Sequence, residues 1–376
     1  DEAVIARQSR FRNRRVLRPA IELDSYRCRA VIDFVEVEIH TIRPTGVTAV
    51  RNWVVDGVKS ESVFCRNLDG TKNSAKVFSA RIQEPTSKML SKVERAIEHN
   101  RAGLAQPASI RTIEVSVDIY ARSGKQEDRA RMVGLLHRTY LPVMDTWTTR
   151  ATPRFVVGDP SATTHLIKHL PKDQGVYPEQ VPPGPPLEST MYFGERYGSW
   201  MVSVQNKVGD QRNAGTMRVL AEREKRARIE VTLGGPELRK LGLISLSGLS
   251  RFRFAKLQGR FFHFALPTFL DKPVLPQHTA VAAEVNRTDR ECFCHGGVVC
   301  LERWRRLKEQ WLSTKPKKPI RTHSHLQQLR QNVRALGKGI SDRRAGNGRC
   351  GTSISYRELN EMVSSALRDL DRRTRF

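Results

Sequence analysis

The chain has 376 residues, 39% of them hydrophobic, a formal net charge of +26 and an isoelectric point near 10.4. This length and hydrophobic content exclude a disordered polymer and allow two packed domains or one large one. The charge favours a polyanionic partner, nucleic acid before a membrane surface, over a neutral small substrate. With no apolar run of about eighteen residues and no signal-like start, we expect neither a membrane-spanning nor a secreted protein.

The six cysteines are scattered, which is not the pattern of a disulfide framework and fits a reducing cytoplasm. We divide the chain into a basic N-terminal arm (1–29), a central domain (30–270) and a basic, helical C-terminal region (271–376). The arm has few apolar residues to bury and is rich in arginine, so we expect it to be solvated or to fold onto phosphates. Its candidate nucleic-acid contacts are Arg12, Arg14 and Arg15.

The first strand with clear alternation runs over residues 30–41. Alternation places Phe34, Glu36, Glu38 and His40 on one face, and Asp33 with the valines and Ile39 on the other. Two acids and a histidine on one face indicate a site, although an exposed antiparallel strand with a polar face has the same pattern.

The next segments predict a helix at 45–56, a hairpin at 62–83 that turns at Asp69-Gly70, and a helix at 86–100. A second strand at 110–120 carries Glu114 and Asp118 on its polar face, and a helix at 126–140 and a strand at 154–157 follow. A proline-rich loop at 182–186 precedes the next hairpin. The order strand, helix, hairpin, helix is therefore predicted twice, which allows a weak internal duplication, although no residue-level repeat supports one.

Residues 189–235 are predicted to form a hairpin, a basic loop and a third alternating strand, 226–233. Arg196 and Arg212 are candidate nucleic-acid contacts here, and Arg228, Glu230 and Thr232 share one strand face. Taken alone, Glu230 is explained by a solvated sheet face. If the three acidic strands are neighbours, however, their carboxylates form one cluster, and hard oxygen ligands suit Mg²⁺ or Mn²⁺ in phosphoryl chemistry.

Four segments, in this order, are IDFVEVEI, RTIEVSVD, TMYFGERYGSWMVSVQNK and RIEVTLGG. Over roughly residues 30–270 they resemble the trans-acting Rep family of rolling-circle replication initiators from plasmids, phages and integrative elements, which carry motifs close to "iDwle", "RiDlaiD", "lYfGsr" with "vRiYdK", and "RvEvel". The resemblance implies nicking of origin DNA by a tyrosine, with a divalent metal held by acids. By motif position, Glu114, Asp118 and Glu230 match the acids and Lys207 the lysine, and Glu36 adds a fourth candidate ligand.

One departure weakens this resemblance. Gln205 stands where the motif has the tyrosine, and an amide cannot form a phosphotyrosine bond. Either the nucleophile has moved, with Tyr192 and Tyr197 as the nearest alternatives, or nicking is lost and the chain is an origin-binding protein. The resemblance further implies duplex and single-stranded origin DNA as partners, together with a homodimer and a replicative helicase or other host replication proteins.

Beyond residue 235, a short helix at 236–243 precedes Arg251, Arg253 and Arg260, which interleave with phenylalanines. This mixture suits base stacking and phosphate contacts, or it places the phenylalanines in the core and only the arginines outside. The run Cys292, Cys294, His295, Cys300 offers ligands for zinc, but the usual paired spacing is absent, and buried free thiols are the alternative.

The C-terminal region ends in an amphipathic helix over residues 355–370, with leucine, methionine and valine at helical spacing. Three roles are open for this helix: reading duplex DNA as part of a small helical module, forming a dimer, or docking on its own domain. We therefore predict an α+β protein, with antiparallel sheets flanked by helices and a basic helical C-terminal region, that binds DNA as rolling-circle initiators do. An RNA-binding protein is a third class that charge alone allows.

Overall fold

The computed structural model describes residues 11, 14–142, 154–156, 163–164, 190–195, 198–213, 216–270, 287–294, 296–302, 304–305 and 353–375. The chain divides into two compact units. The large-sheet unit comprises residues 24–129, 192–262 and 361–376, and the small-sheet unit comprises residues 1–23, 130–191 and 263–360. The predicted α+β class, with antiparallel sheets flanked by helices, is confirmed. Within the described residues, no helix combines the length and the apolar composition that crossing a bilayer requires.

The strands in chain order are β1 (Arg14–Val16), β2 (Tyr26–Thr45), β3 (Val63–Asn67), β4 (Ala75–Gln83), β5 (Leu104–Ala121), β6 (Arg154–Val156), β7 (Thr163–Thr164), β8 (Thr190–Gly194), β9 (Trp200–Lys207), β10 (Gly209–Asn213), β11 (Thr216–Val219), β12 (Arg226–Gly234), β13 (Ala265–Leu270) and β14 (Ser353–Ser355). The helices are α1 (Val47–Val58), α2 (Ser87–Glu98), α3 (Gln126–Thr139), α4 (Gly235–Leu241), α5 (Leu246–Arg251), α6 (Ala255–Phe261) and α7 (Arg357–Thr374). Residues 287–294 and 296–302 are also helical.

In the large-sheet unit the strand order is β3-β4-β2-β5-β12-β9-β8, and the pairings from β3 to β9 are all antiparallel. The three acidic strands β2, β5 and β12 are therefore direct neighbours, as the cluster hypothesis requires. On one face every second residue is aliphatic and fully buried, for example Val37, Val117 and Val231. Helices α1, α2, α4 and α5 pack against this unit's strands, so the aliphatic side chains form the core and the alternate, polar side chains take the other face.

The helix and hairpin predictions for residues 45–140 are confirmed by α1, the β3-β4 hairpin, α2, β5 and α3. Gly70 has φ 55° in the hairpin turn, a conformation that glycine adopts without a Cβ clash. The first helix after the turn, α2, begins with Thr86 as its N-cap, whose hydroxyl accepts the Met89 backbone N–H.

The predicted order of strand, helix and hairpin occurs as β2-α1-β3-β4, but in the second half β6 and β7 stand between α3 and the β8-β9 hairpin. The sheet positions differ, because β4 pairs directly with β2 whereas β12 lies between β5 and β9. The second hairpin is followed by β10 and β11 and not by a helix.

The face prediction for Asp33 was wrong. The register between β2 and β5 shifts between Ile32 and Phe34. This irregularity interrupts strict alternation, so Asp33 does not follow the valines into the core. Its carboxylate instead reaches Arg228 on the polar face, with Oδ1 2.8 Å from Arg228 Nη1.

The small-sheet unit contains the sheet β1-β13-β14, and part of the arginine-rich arm belongs to it. Arg14 on β1 donates to the hydroxyl and the backbone carbonyl of Thr268 at 2.8 and 2.6 Å, and Phe11 is buried. The expectation of a wholly solvated arm was therefore wrong for Phe11 and β1, because this stretch supplies one apolar anchor and an edge strand. The division at residues 29 and 270 stays a prediction.

The C-terminal amphipathic helix is confirmed as α7. Its Val363, Leu367 and Leu370 are almost completely buried within the chain, so the docked-helix alternative describes it. A dimer formed through this apolar stripe would need the stripe exposed.

Candidate functional site on the polar face of the large sheet

The polar face of the large sheet brings together positions that are far apart in sequence. Across the β12 pairings, Glu230 lies opposite Ser116 of β5 and Ser203 of β9. One step along, Arg228 lies opposite Asp118 and Gln205. Antiparallel partners point to the same side of a sheet, so the motif positions that the resemblance singled out share one surface.

Asp118 is neutralised by guanidinium groups. Arg228 binds it with two hydrogen bonds, Nε to Oδ1 at 2.6 Å and Nη2 to Oδ2 at 2.9 Å, and Arg226 Nε lies 3.0 Å from the same Oδ1. Asp118 and Arg228 are each 2% exposed. Burial would lower the pKa of Arg228, but its bonds to Asp118 and the charges of Asp118 and Asp33 raise the pKa well above the ordinary value. This is a buried, geometrically specific ion pair.

Glu114 and Glu230 form a second, different pair. Burial raises the pKa of Glu114 to about 8, helped by the negative charge of Glu230 and opposed by a hydrogen bond from Thr232. Burial also raises the pKa of Glu230, while Arg228 and Ser203 oppose that rise. Because two close carboxylates resist carrying two charges, Glu114 holds a proton at neutral pH. Glu230 accepts hydrogen bonds from Ser203 at 2.8 Å and Gln205 at 3.0 Å.

Glu36 lies further along the face, in an arginine cluster. Burial would raise its pKa, but hydrogen bonds from Ser79 and Arg66 and the charges of Arg66 and Arg81 outweigh burial and lower it. The nearest guanidinium nitrogens of Arg66, Arg81 and Arg111 are 3.0, 3.5 and 3.9 Å from its carboxylate oxygens.

These contacts test the predicted metal centre of Glu36, Glu114, Asp118 and Glu230. In the part of the chain that the structure describes, no group of three or more histidine, cysteine, aspartate or glutamate side chains is placed to hold a metal ion. The donor chemistry explains this, since arginines bind the carboxylates of Asp118 and Glu36. Glu230 Oε1 already accepts from Ser203 and Gln205. The residues in this arrangement do not fit a carboxylate-bound Mg²⁺ or Mn²⁺, and the metal assignment stays a prediction.

The catalytic candidates are placed as follows. Lys207 ends β9 and its Nζ lies 3.1 Å from Asp210 Oδ1. Gln205 lies on the polar face and donates to Glu230. Tyr192 is half-buried in β8 between the buried residues Met191 and Phe193. Tyr197 and Arg196 lie outside the described residues.

The arginine candidates occupy different environments. Arg251 and Arg253 are exposed, whereas the Nη2 atom of Arg260 lies 2.6 Å from Glu237 Oε1. Arg14 donates within the small-sheet unit, where burial is the main cause that lowers its pKa to about 10, and Arg15 is exposed. Arg12 and the side chain of Arg212 lie outside the described part of the structure.

The phenylalanines that interleave with these arginines are core residues. The structure buries all five, each at most 8% exposed: Phe252, Phe254, Phe261, Phe262 and Phe264. The core alternative is therefore correct, and base stacking on these rings is not available.

The predicted zinc ligands separate in the structure. Cys292 and Cys300 are buried in one apolar cluster with Trp304, whereas Cys294 is exposed. His295 lies outside the described residues. The buried-thiol alternative describes two of the three cysteines.

Sequence reasoning missed three polar-face residues, Asp33, Arg228 as a site residue, and Tyr120. Tyr120 follows Asp118 by two positions, so it points to the same side of β5. The Arg27 and Arg226 guanidinium carbons lie 4.9 and 5.9 Å from its ring centroid. The signal was present in the sequence, because a tyrosine at an alternating position after two acids belongs to the same face.

No protein-family model and no curated protein matches the sequence. Among solved structures, the chain is similar to a rolling circle replication initiator protein from Geobacillus stearothermophilus, with a TM-score of 0.30 and 9% identity. The match covers 65% of this chain and 86% of that one. A similarity this low does not establish a shared fold, family or function.

Proposed function

We propose that this protein binds DNA at a replication origin through the polar face of the large sheet, in the manner of a rolling-circle initiator. It does not cleave the DNA strand, because residue 205, which matches the nucleophilic tyrosine of the motif, is a glutamine. The observation that carries the proposal is the convergence of Asp118, Gln205 and Glu230 on one face. The ordered sequence motifs and the net charge of +26 add to it.

The polar face has a buried centre and an exposed basic rim, which consists of Arg27, Arg29, Arg66, Arg81 and Arg111. Asp118 and Arg228 are buried, whereas the side chains of Arg111, Arg81 and Arg66 are 39, 42 and 67% exposed. At the other end of β2, Arg27 and Arg29 are exposed and lie opposite Tyr120 and Asp118. The centre holds the strands in register. In the rim, Arg66, Arg81 and Arg111 share only two carboxylates, Glu36 and Glu38, so the rim keeps an excess of positive charge for backbone phosphates.

Gln205 accounts for the proposed loss of cleavage. Its side-chain amide is neither nucleophilic nor ionisable, and it is already engaged as a donor to Glu230. Because the described carboxylates do not fit a metal centre, no metal-dependent step belongs to the proposed function.

The rim is tested by removing three exposed arginines with Arg27→Gln, Arg29→Gln and Arg66→Gln in one variant. Glu36 keeps Arg81, Arg111 and Ser79 as partners, so the fold is retained. Each phosphate contact contributes about 0.9 to the slope of log Kd against log salt, so the variant is expected to bind duplex origin DNA about 10- to 100-fold more weakly near 0.1 M salt, with a smaller slope.

The matched control removes the same charge from the helical side with Arg95→Gln, Arg101→Gln and Arg239→Gln, all exposed. We expect it to change affinity by less than about threefold, because screened charges far from the contact act weakly. Equal losses of DNA affinity in both variants would mean that binding depends only on the net charge of the protein. The polar face would then be rejected as the interface. Tighter binding of RNA at matched salt would favour an RNA-binding protein instead.

A second candidate function is nicking by a relocated tyrosine, which the position of Tyr120 favours. Its hydroxyl group belongs to a residue on the polar face, beside Arg226 and Asp118. Burial and the charge of Asp118 raise its pKa, so attack on a phosphate would need a base to accept its proton. Separate Tyr120→Phe, Tyr192→Phe and Tyr197→Phe variants test this, because only the nucleophile's variant would lose a covalent DNA adduct.

A further inference from the structure

The end of α7 forms a concave basic surface, the arginine cleft, defined by Arg253, Arg368, Arg372 and Arg375. The cleft has a volume of about 540 Å³, and its lining includes Ser365 and Asp371. All of these residues belong to the large-sheet unit. It contains four guanidinium groups and one carboxylate, and it includes no residue of the polar-face site described above.

The single carboxylate of the cleft is already used. Asp371 is buried and accepts the Phe254 backbone N–H, which ties α7 to the segment that carries Arg253. The four arginines are all exposed, and among the described residues Arg253 and Arg375 make no ion pair. Arg372 pairs with Asp369 at 3.1 Å, whereas no ion pair with a described residue balances Arg253, Arg368 or Arg375.

Favourable interaction with the helix dipole does not account for the cleft. Cations stabilise the last turn of a helix, which explains Arg372. Arg368 lies a full turn earlier, however, and Arg253 comes from a different element. Four guanidinium groups converging on one concavity from two elements are typical of a phosphate site.

The helix that carries the cleft contacts β2, the strand that carries part of the basic rim. Residues 26–33 of β2 pair with β5 on one side only, because β4 begins its pairing at Phe34. On the open side, Arg373 Nη2 of α7 donates to the Ala30 carbonyl at 2.6 Å. Arg373 is adjacent to Arg372 of the cleft and Ala30 is adjacent to Arg29 of the rim, so this bond joins the element that carries the cleft to the strand that carries the rim.

We infer that the arginine cleft is a second binding site for the phosphodiester backbone of DNA, which receives the strand as it leaves the polar face. This inference rests on the proposed function. The ligand is recognised by its phosphate oxygens, which accept paired hydrogen bonds from guanidinium groups, and not by its bases.

The test is a variant with Arg368→Gln, Arg372→Gln and Arg375→Gln, compared with Arg95→Gln, Arg101→Gln and Arg239→Gln, which removes equal charge. Duplex and single-stranded DNA are titrated by fluorescence anisotropy at several salt concentrations, and thermal unfolding confirms that each variant folds. We expect the cleft variant to lose about 10- to 100-fold in affinity and about two units of salt slope, and the control to lose neither. Arg253→Gln alone changes the cleft arginine that does not belong to the α7 end of the chain, and it should cause part of the same loss of DNA affinity.

The outcomes separate the two proposals. If the rim variant loses DNA binding and the cleft variant matches the control, the cleft inference is overturned and the proposed function stands. If the unaltered protein does not bind DNA, both are overturned. If ATP without metal binds the unaltered protein but not the cleft variant, and DNA binding is the same in both, the cleft takes a free nucleotide and the DNA assignment is wrong.

Discussion

Arg228 on β12 forms a bidentate ion pair with Asp118 on β5, with its Nε and Nη2 atoms 2.6 and 2.9 Å from the two carboxylate oxygens. The pair lies at the buried centre of the polar face. The Nη1 atom of Arg228 also donates to Asp33 on β2 at 2.8 Å. One guanidinium group thus ties three adjacent strands together.

Removing one member of this pair is expected to destabilise the fold strongly. Arg228→Ala leaves the buried Asp118 with Arg226 as its remaining guanidinium partner and removes the partner of the half-buried Asp33, which costs about 3–5 kcal/mol of unfolding free energy. Urea denaturation measures it. Arg287→Ala breaks an exposed pair with Glu291 at 3.1 Å and should cost less than about 1 kcal/mol. Equal effects would mean that Arg228 is not structurally central.

The raised pKa of Glu114 makes stability depend on pH in metal-free buffer. Its pKa is about 8 in the folded protein and 4.5 in the unfolded reference, so the folded state binds more protons between these values. Stability from this group is therefore present below about pH 4.5 and is lost as the pH rises toward 8. Glu114→Gln should be more stable than the unaltered protein by up to about 4 kcal/mol at pH 8 and equal to it at pH 4.

The control for this titration is Glu98→Gln, which alters an exposed glutamate on α2. We expect its stability to follow that of the unaltered protein at every pH. If Glu114→Gln were less stable at pH 8, Glu114 would be ionised there and its charge would be compensated.

Gly194 is expected to be intolerant of any side chain. Its φ is 82°, and a Cβ would lie 2.6 Å from the Trp200 carbonyl oxygen, so Gly194→Ala combines backbone strain with a clash inside the β8-β9 hairpin. We expect a loss of about 2 kcal/mol or more. Gly124→Ala is the matched control, because φ is 67° there but nothing lies within 4 Å, and it should cost about 1 kcal/mol. Thermal unfolding compares the two.

Cysteine reactivity tests the zinc hypothesis. Cys294 is exposed, whereas Cys292 and Cys300 are buried, and burial raises the pKa of Cys28 and Cys65 to about 12. Among the described cysteines, a thiol reagent followed by peptide mass spectrometry should label Cys294 first, and Cys28, Cys65, Cys292 and Cys300 only on unfolding. Slow labelling of Cys294 that a zinc chelator accelerates would support a zinc site.

Much of the sheet was predictable because alternation fixes which side chains share a face. The polar positions Glu114, Asp118 and Glu230 followed from it, and strand adjacency is confirmed. The pairing of Asp118 with Arg228 was not predictable, because the residues are 110 positions apart and alternation does not set the register between distant strands. Asp33 was missed because a register shift breaks alternation within β2, which no local residue type signals.

The arginine cleft was missed for a related reason. The sequence marked Arg253 as a candidate contact and α7 as an amphipathic helix. Only the folded chain brings them together, through the bond between Asp371 and the Phe254 backbone. Tertiary contacts between distant segments therefore determine the basic surfaces more than local composition does.

DNA binding without cleavage is tested most directly by incubating the purified protein with supercoiled and single-stranded DNA from its own genetic element plus Mn²⁺ and then running a denaturing gel. We expect tight binding under native conditions and no protein–DNA band that survives denaturation, because Gln205 occupies the position of the nucleophile. A denaturant-resistant band that is lost in Tyr120→Phe, Tyr192→Phe or Tyr197→Phe would instead identify a nicking enzyme.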